Sequence, residues 1–133
     1  MKEFHLQIVT PDGIEFDGQA ESVLVRSEMG DVEIMAGHAD LFASLGIGRA
    51  RIKTATETKI GSAAGGFISV SHGEVKLVAT TFEFKDEINL DRAKAAKESA
   101  EDKLKNAKSE KEIHVAKAKL ERAMNRIYVA SLK

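Results

Sequence analysis

The sequence predicts an α+β protein: an N-terminal antiparallel β-sandwich, or flattened barrel, over residues 1–85, followed by a C-terminal α-helical hairpin over residues 86–133. Three observations predict it. All ten glycines and the only proline fall within the first 73 residues, so turns and strand ends crowd the front of the chain and are missing from the back. The front carries short runs with period-two or β-branched character, the mark of half-buried strands. The back is built from Ala, Lys, Glu, Leu and Arg, all good helix formers, with apolar residues recurring at steps of three and four.

The strand runs are Phe4 to Val9, Ala20 to Ser27, Gly48 to Thr54, Lys59 to Ser62, Phe67 to Ser71 and Glu74 to Thr81. Pro11-Asp12-Gly13 and Asp17-Gly18 read as turns, and His72-Gly73 between two alternating runs reads as a tight hairpin. The spacing predicts about eight to ten short strands. Ala64-Gly65-Gly66 lacks the spacing of a phosphate-cradling loop and reads as a β-bulge or turn. One segment, Met29 to Phe42, does not read as a simple strand or hairpin. It sets Met29, Met35, Leu41 and Phe42 among glycines and acids, which suits either an irregular crossover feeding the core or a docking loop.

The first helix should begin near Asp86 to Asn89, whose side chains suit a helix N-terminus, and Ala93, Ala96, Ala100, Leu104 and Ala107 form a narrow seam along it. The second carries Ile113, Ala116, Leu120, Ala123, Ile127 and Ala130 in a heptad-like stripe. Ser109 and Glu112 form a capping-box signature for its start. Seams so rich in alanine bury little area, so the hairpin needs a further surface, either its own β-domain or another protein.

Composition narrows function. The 43% hydrophobic and 31% charged residues are those of a soluble globular protein. The polar start Met1-Lys2-Glu3 does not resemble a secretory signal, and no apolar run reaches the roughly 18 residues of a membrane span. This predicts a cytoplasmic chain that reaches a membrane only through a partner. With no cysteine and four scattered histidines, metal chemistry is not expected. His38 and Asp40 lack a neighbouring nucleophile on any recognisable elbow, so no catalytic residue is assigned. Net charge is -1: residues 1–85 hold 8 Lys and Arg against 12 Asp and Glu, and residues 86–133 hold 12 against 9. The tail is mildly basic but interrupted by acids, and one tyrosine with no tryptophan offers little stacking, which argues against nucleic acid.

Arg122 and Arg126 lie four apart on one helical face, and folding the hairpin about its polar turn would bring Arg92 opposite roughly residue 127. Three converging guanidiniums suit phosphate oxygens. The alternative is ordinary surface pairing with Glu83, Glu87, Asp91 and Glu121.

Five stretches stand out in order along the chain: Val9-Thr10-Pro11, Gly30-Asp31-Val32-Glu33-Ile34 followed by Gly37-His38-Ala39, Gly65-Gly66-Phe67, Ile88-Asn89-Leu90-Asp91-Arg92-Ala93 and Arg122-Ala123-Met124-Asn125-Arg126. Together, over essentially the whole chain, they resemble the epsilon subunit of bacterial F-type ATP synthases. The resemblance implies a non-catalytic rotor component of a proton- or sodium-translocating synthase, peripheral on the cytoplasmic face of the cell membrane. It implies a β-sandwich that binds the gamma subunit and the c-ring, with Gly30, Asp31, Gly37 and His38 as ring contacts. It also implies a hairpin that either folds on the sandwich or extends toward the alpha and beta subunits of the catalytic head and inhibits ATP hydrolysis. No cofactor is required, and a regulatory ATP would be held by Glu83, Ile88, Asn89, Arg92, Ala93, Arg122 and Arg126. A chiefly nucleotide-sensing module is the alternative. The chain departs from the family pattern at Asn89, where an aspartate is common, and at Ser99, where ATP-binding members can carry arginine. Asp40 replaces a common proline and Ala64 a common serine.

Overall fold

The computed structural model describes residues 2–132, which group into a sandwich unit ending at Lys85 and a helical unit beginning at Asp86. The sandwich unit contains β1 (Phe4–Thr10), β2 (Gly13–Ala20), β3 (Ser22–Ser27), β4 (Gly30–Met35), β5 (Leu41–Ser44), β6 (Ile47–Lys53), β7 (Thr58–Ser71) and β8 (Glu74–Phe84). β1 shows how sequence makes the layers: Phe4, Leu6, Ile8 and Thr10 are buried while His5, Gln7 and Val9 face outward, the period of two that a pleated strand imposes.

The strands pair in the order β2-β1-β8-β7-β6-β3-β4, with β5 on β7. The long β7–β8 hairpin belongs to both layers. Residues 58–64 of β7 pair with β6, and residues 67–70 pair with β5. Residues 81–84 of β8 continue the first layer, and residues 74–78 lie parallel to β1 in the second. Gly65 and Gly66 make the fold between them, at φ +71° and +94°. A side chain on Gly66 would place its Cβ 1.8 Å from the Val78 carbonyl oxygen, so only glycine lets the two backbones approach. The β7–β8 register is the same on both sides, Ala64 opposite Thr81 and Gly66 opposite Ala79, so the diglycine bends a continuous hairpin without inserting a residue.

Between the layers, Leu6, Ile8, Ile68, Val70, Val75 and Leu77 meet Val23, Val25, Ile34, Ala50, Ile52 and Phe82 in one core. Fully burying each large aliphatic side chain contributes about 1.5–3 kcal/mol. Every residue of this core lies between Phe4 and Phe84.

Four expectations are corrected. Asp17-Gly18 is not a turn: both residues lie inside β2, opposite Gln7 and Leu6, because the ladder with β1 outweighs their weak strand propensity. Met29 to Phe42 is not one irregular loop: Gly30–Met35 forms a regular strand against β3 and Leu41 opens β5, so only Met29 and residues 36–40 lie outside strands. The runs at 59–62 and 67–71, with the supposed bulge or turn at 64–66, are one 14-residue strand. The sandwich is not wholly antiparallel, because β1 and β8 run parallel. His72-Gly73 is the tight hairpin its composition predicts, with φ +52° and +81° at the two central residues, the signature of a type I′ turn.

In the helical unit, a 3₁₀ turn (Lys85–Glu87) precedes α1 (Leu90–Lys105), and α2 (Glu110–Ser131) packs back on α1. Asn89 caps α1, its Oδ1 accepting the Arg92 N–H at 3.1 Å. Ser109 caps α2 by accepting the Glu112 N–H at 3.1 Å, and Glu112 reaches back to the Lys108 N–H at 2.8 Å, one residue earlier than a standard capping box. Ala93, Ala100, Ala116 and Ala123 are buried along the seam. Ile113, expected in that seam, is instead 36% exposed, and Val129, which the stripe omitted, is fully buried.

Candidate functional site

The four residues expected to meet the ring sit at two different places. Gly30 and Asp31 open β4, beside the β3–β4 turn, whereas Gly37 and His38 follow its far end. An extended strand rises about 3.3 Å per residue, so seven residues set the two pairs about 20 Å apart. The segment read as one docking loop is two.

At the first place, Ser27 is buried and its Oγ shapes the turn, donating to the Gly30 carbonyl at 2.7 Å and accepting the Met29 N–H at 3.1 Å. Met29 is left 96% exposed at the tip. Asp31 stands opposite Arg26 and pairs with it at 3.3 Å, an exposed ion pair of at most about 1 kcal/mol. At the second place, the His38 N–H donates to the Met35 carbonyl at 3.1 Å while Gly37 takes φ +83°, which fits a type II turn. His38 is exposed and its Nδ1 lies 2.7 Å from the Ala39 carbonyl oxygen. Asp40 ties this end to the β7–β8 turn by accepting the His72 N–H at 3.1 Å.

β5, just beyond, carries Phe42, 67% exposed and stacked on Phe67 of β7 with ring centroids 4.8 Å apart. Sequence reading flagged Phe42 but missed the pair, because the two rings are 25 residues apart and only the β5–β7 register joins them. The register also aligns Ser44, Phe67, Val78, Val9 and Ile14 in one outward row across five strands.

Of the residues expected to hold a nucleotide, Glu83 stands half-buried on β8 in the sandwich unit, and the others belong to the helical unit. Ile88 is half-buried, Asn89 is the α1 cap, Arg92 is exposed in the first turn, and Ala93 is buried in the seam. Arg122 and Arg126 are half-buried and flank buried Ala123. Arg92 stands in the first turn of α1, and Arg122 and Arg126 in the C-terminal half of α2, which packs back on α1. The structure brings Asn89 and Arg92 together directly, but by capping: the single carbonyl oxygen of Asn89 is already engaged.

Among the described residues, no group of His, Asp and Glu side chains is arranged to hold a metal ion, and no helix is long and apolar enough to cross a membrane.

Both units of the chain match known proteins. Residues 3–85 match the family model for the β-sandwich domain of the ATP synthase delta/epsilon chain, and residues 86–131 match that for its long α-helix domain. The chain is 40% identical over 130 residues to the ATP synthase epsilon chain of Bacillus pumilus, covering 98% of each. It is 36% identical over 133 residues to that of Bacillus cytotoxicus, covering all of both. The fold also resembles a chain of the Euglena gracilis mitochondrial ATP synthase, with a TM-score of 0.80 at 19% identity over 92% of this chain and 78% of the other. A chain from the central stalk and c-ring of the Tetrahymena thermophila enzyme gives 0.73 at 13% identity over 98% of both. A two-layer sandwich followed by a helical hairpin, with both family models matched in order, defines a non-catalytic subunit of an ATP synthase. The chain belongs to the ATP synthase epsilon chain family.

Proposed function

We propose that the sandwich couples the gamma subunit to the c-ring at the cytoplasmic face of the membrane, and that the helical hairpin restrains ATP hydrolysis by extending toward the alpha and beta subunits. The observation that carries this reading is the second apolar face of α2. The hairpin's own seam buries mainly alanines, yet Ile113, Met124 and Tyr128, which helical pitch sets on one side of α2, remain 36–50% exposed. A helix with apolar residues outside its seam is suited to exchange one covering surface for another, and small differences in those contacts shift the population. Lys117, Lys119, Arg122 and Arg126 give α2 the charge to engage acidic surfaces.

Regulatory ATP is a separate element of the proposal. Arg92 on α1 and Arg122 and Arg126 on α2 belong to helices packed on each other, and guanidinium forks suit phosphate oxygens. Asn89 weighs against tight binding: its one carbonyl oxygen caps α1, whereas an aspartate at the same point would keep a second oxygen for a ligand. This disfavours the alternative of a chiefly nucleotide-sensing module. In the reconstituted synthase, replacing both Arg122 and Arg126 by alanine is expected to weaken inhibition of hydrolysis several-fold, and to remove its dependence on ATP concentration only if the arginines hold ATP. Inhibition unchanged by the double substitution would contradict the proposed role of α2.

For coupling, Asp31→Lys is expected to weaken c-ring association while changing the isolated chain's stability by under about 1 kcal/mol, since only the exposed Arg26 pair is lost. Pull-down with the ring and thermal unfolding of the isolated chain measure the two effects. Intact ring binding would remove Asp31 from the interface.

A further inference from the structure

β2 is an edge strand anchored to the core mainly by Phe16 and Ala20. Within the strand order it pairs only with β1, that ladder is irregular between Ile8 and Val9, and Ala20 is its only fully buried residue. A side-chain tie crosses this edge. His5, facing outward in the middle strand, sits opposite Gln19 of β2 on one side and Glu74 of β8 on the other. Its Nε2 is 2.5 Å from Asp17 Oδ1 and its Nδ1 is 2.6 Å from Glu74 Oε2. Gln7 supports the same carboxylate, donating to Asp17 Oδ2 at 3.4 Å.

The chemistry of the ring decides its charge. Ionised carboxylates only accept hydrogen bonds, and a neutral imidazole has one N–H to donate. Both contacts exist together only when His5 is the imidazolium. We propose that His5 is a proton-held clamp, fastening edge strand β2 to β8 across β1 as the cation and releasing that edge when it loses its proton.

The charged groups around it are Asp17 on β2 and Glu74 on β8, with Lys76 two residues further along β8 opposite Gln7, and Glu3 two residues before His5. The hydrogen bond to Asp17, followed by that to Glu74, holds the His5 pKa above its usual 6.5, and the His5 contact lowers that of Asp17 below 3.8. The signs follow. A raised histidine pKa means that the clamp's contribution is complete below about pH 6.5 and fades as pH rises through the higher folded value. At the acid end, the lowered Asp17 pKa means that its share is lost as pH falls through the folded carboxylate's value. The clamp is therefore complete on the acid side of the ordinary histidine value, down to the carboxylate range, and opens as pH rises through the raised folded value of His5. Such a tie would let proton concentration set how firmly the sandwich edge is closed.

The test uses the full chain, following the His5 ring proton and the amide exchange of residues 13–20 by NMR between about pH 6 and 9, corrected for intrinsic exchange. β4 is the reference edge, since it ends the strand order on the other side and its ion pairs, Asp31 with Arg26 and Glu33 with Arg51, involve no histidine. His5 is expected to titrate above its ordinary value, and β2 protection relative to β4 to fall several-fold through that titration. Asp17→Asn should return the titration toward the ordinary value, and His5→Gln should give a low β2:β4 ratio that pH does not change. A ratio that stays constant in the unsubstituted chain while His5 titrates, or a His5 that titrates at or below its ordinary value, overturns the proposal without relying on either variant.

Discussion

Replacing Gly66 by alanine is expected to abolish the folded sandwich or to cost it on the order of 3 kcal/mol or more, among the largest effects of any single methyl group in this chain. The added Cβ would lie 1.8 Å from the Val78 carbonyl oxygen and 2.8 Å from its carbon, both backbone atoms of a central strand. No rotamer change relieves that contact. β8 would have to move, and with it Leu77 and Ala79, both buried in the core. Gly66 also takes φ +94°, which strains any L side chain. Gly65→Ala is the internal comparison. There the Cβ would meet the Thr80 side chain, with Oγ1 at 2.7 Å, and Thr80 is exposed and can turn away. That variant should lose only about 1–2 kcal/mol. Denaturant unfolding of the two variants measures the difference, and equal midpoints would mean that β8 is more compliant than its pairing suggests.

A chain truncated after Lys85 is expected to remain folded and to join the complex, while hydrolysis by that complex rises and loses any dependence on the hairpin. Among the described residues, none of the sandwich core comes from beyond Phe84, so truncation leaves that core whole. The last strand keeps its own anchors, since Phe82 packs edge-on to Phe84 at 4.9 Å and Lys59 lies 4.4 Å from the Phe84 ring centroid. The second half rests on the proposed restraint by α2. Circular dichroism and co-purification test folding and assembly, and hydrolysis rates of intact and truncated complexes test restraint. Equal rates at every ATP concentration would remove the regulatory role and leave coupling alone.

Much of the candidate site could be named from the sequence, but little of its arrangement could. Asn89 and Ser109 were legible as helix starts because capping is a local matter, decided within three residues by a side-chain oxygen and a backbone N–H. Arg122 and Arg126 were legible as neighbours because helical pitch fixes a spacing of four. The level of Arg92 along the hairpin is not a local matter, because it depends on where the connecting turn closes and how the alanine seams interlock. Gly30 and His38 looked like parts of one loop, since glycine and acidic residues suggest irregular backbone, yet pairing with β3 draws the intervening residues into a strand and separates them.

The same physics divides the fold. What the sequence determined by itself was periodicity and punctuation: the inward alternation of β1, the type I′ turn at His72-Gly73, the glycine-free helical tail and the caps that start it. Each follows from a chain segment's own sterics and hydrogen bonding. What only the tertiary structure decided was pairing between distant segments: the parallel contact of β1 with β8, the diglycine bend that lends one hairpin to two layers, the Phe42–Phe67 stack and the two carboxylates that close on His5. None of these has a local signature, because the residues involved are separated by 12 to 69 positions and meet only when burial of the shared core fixes the register of the strands that carry them.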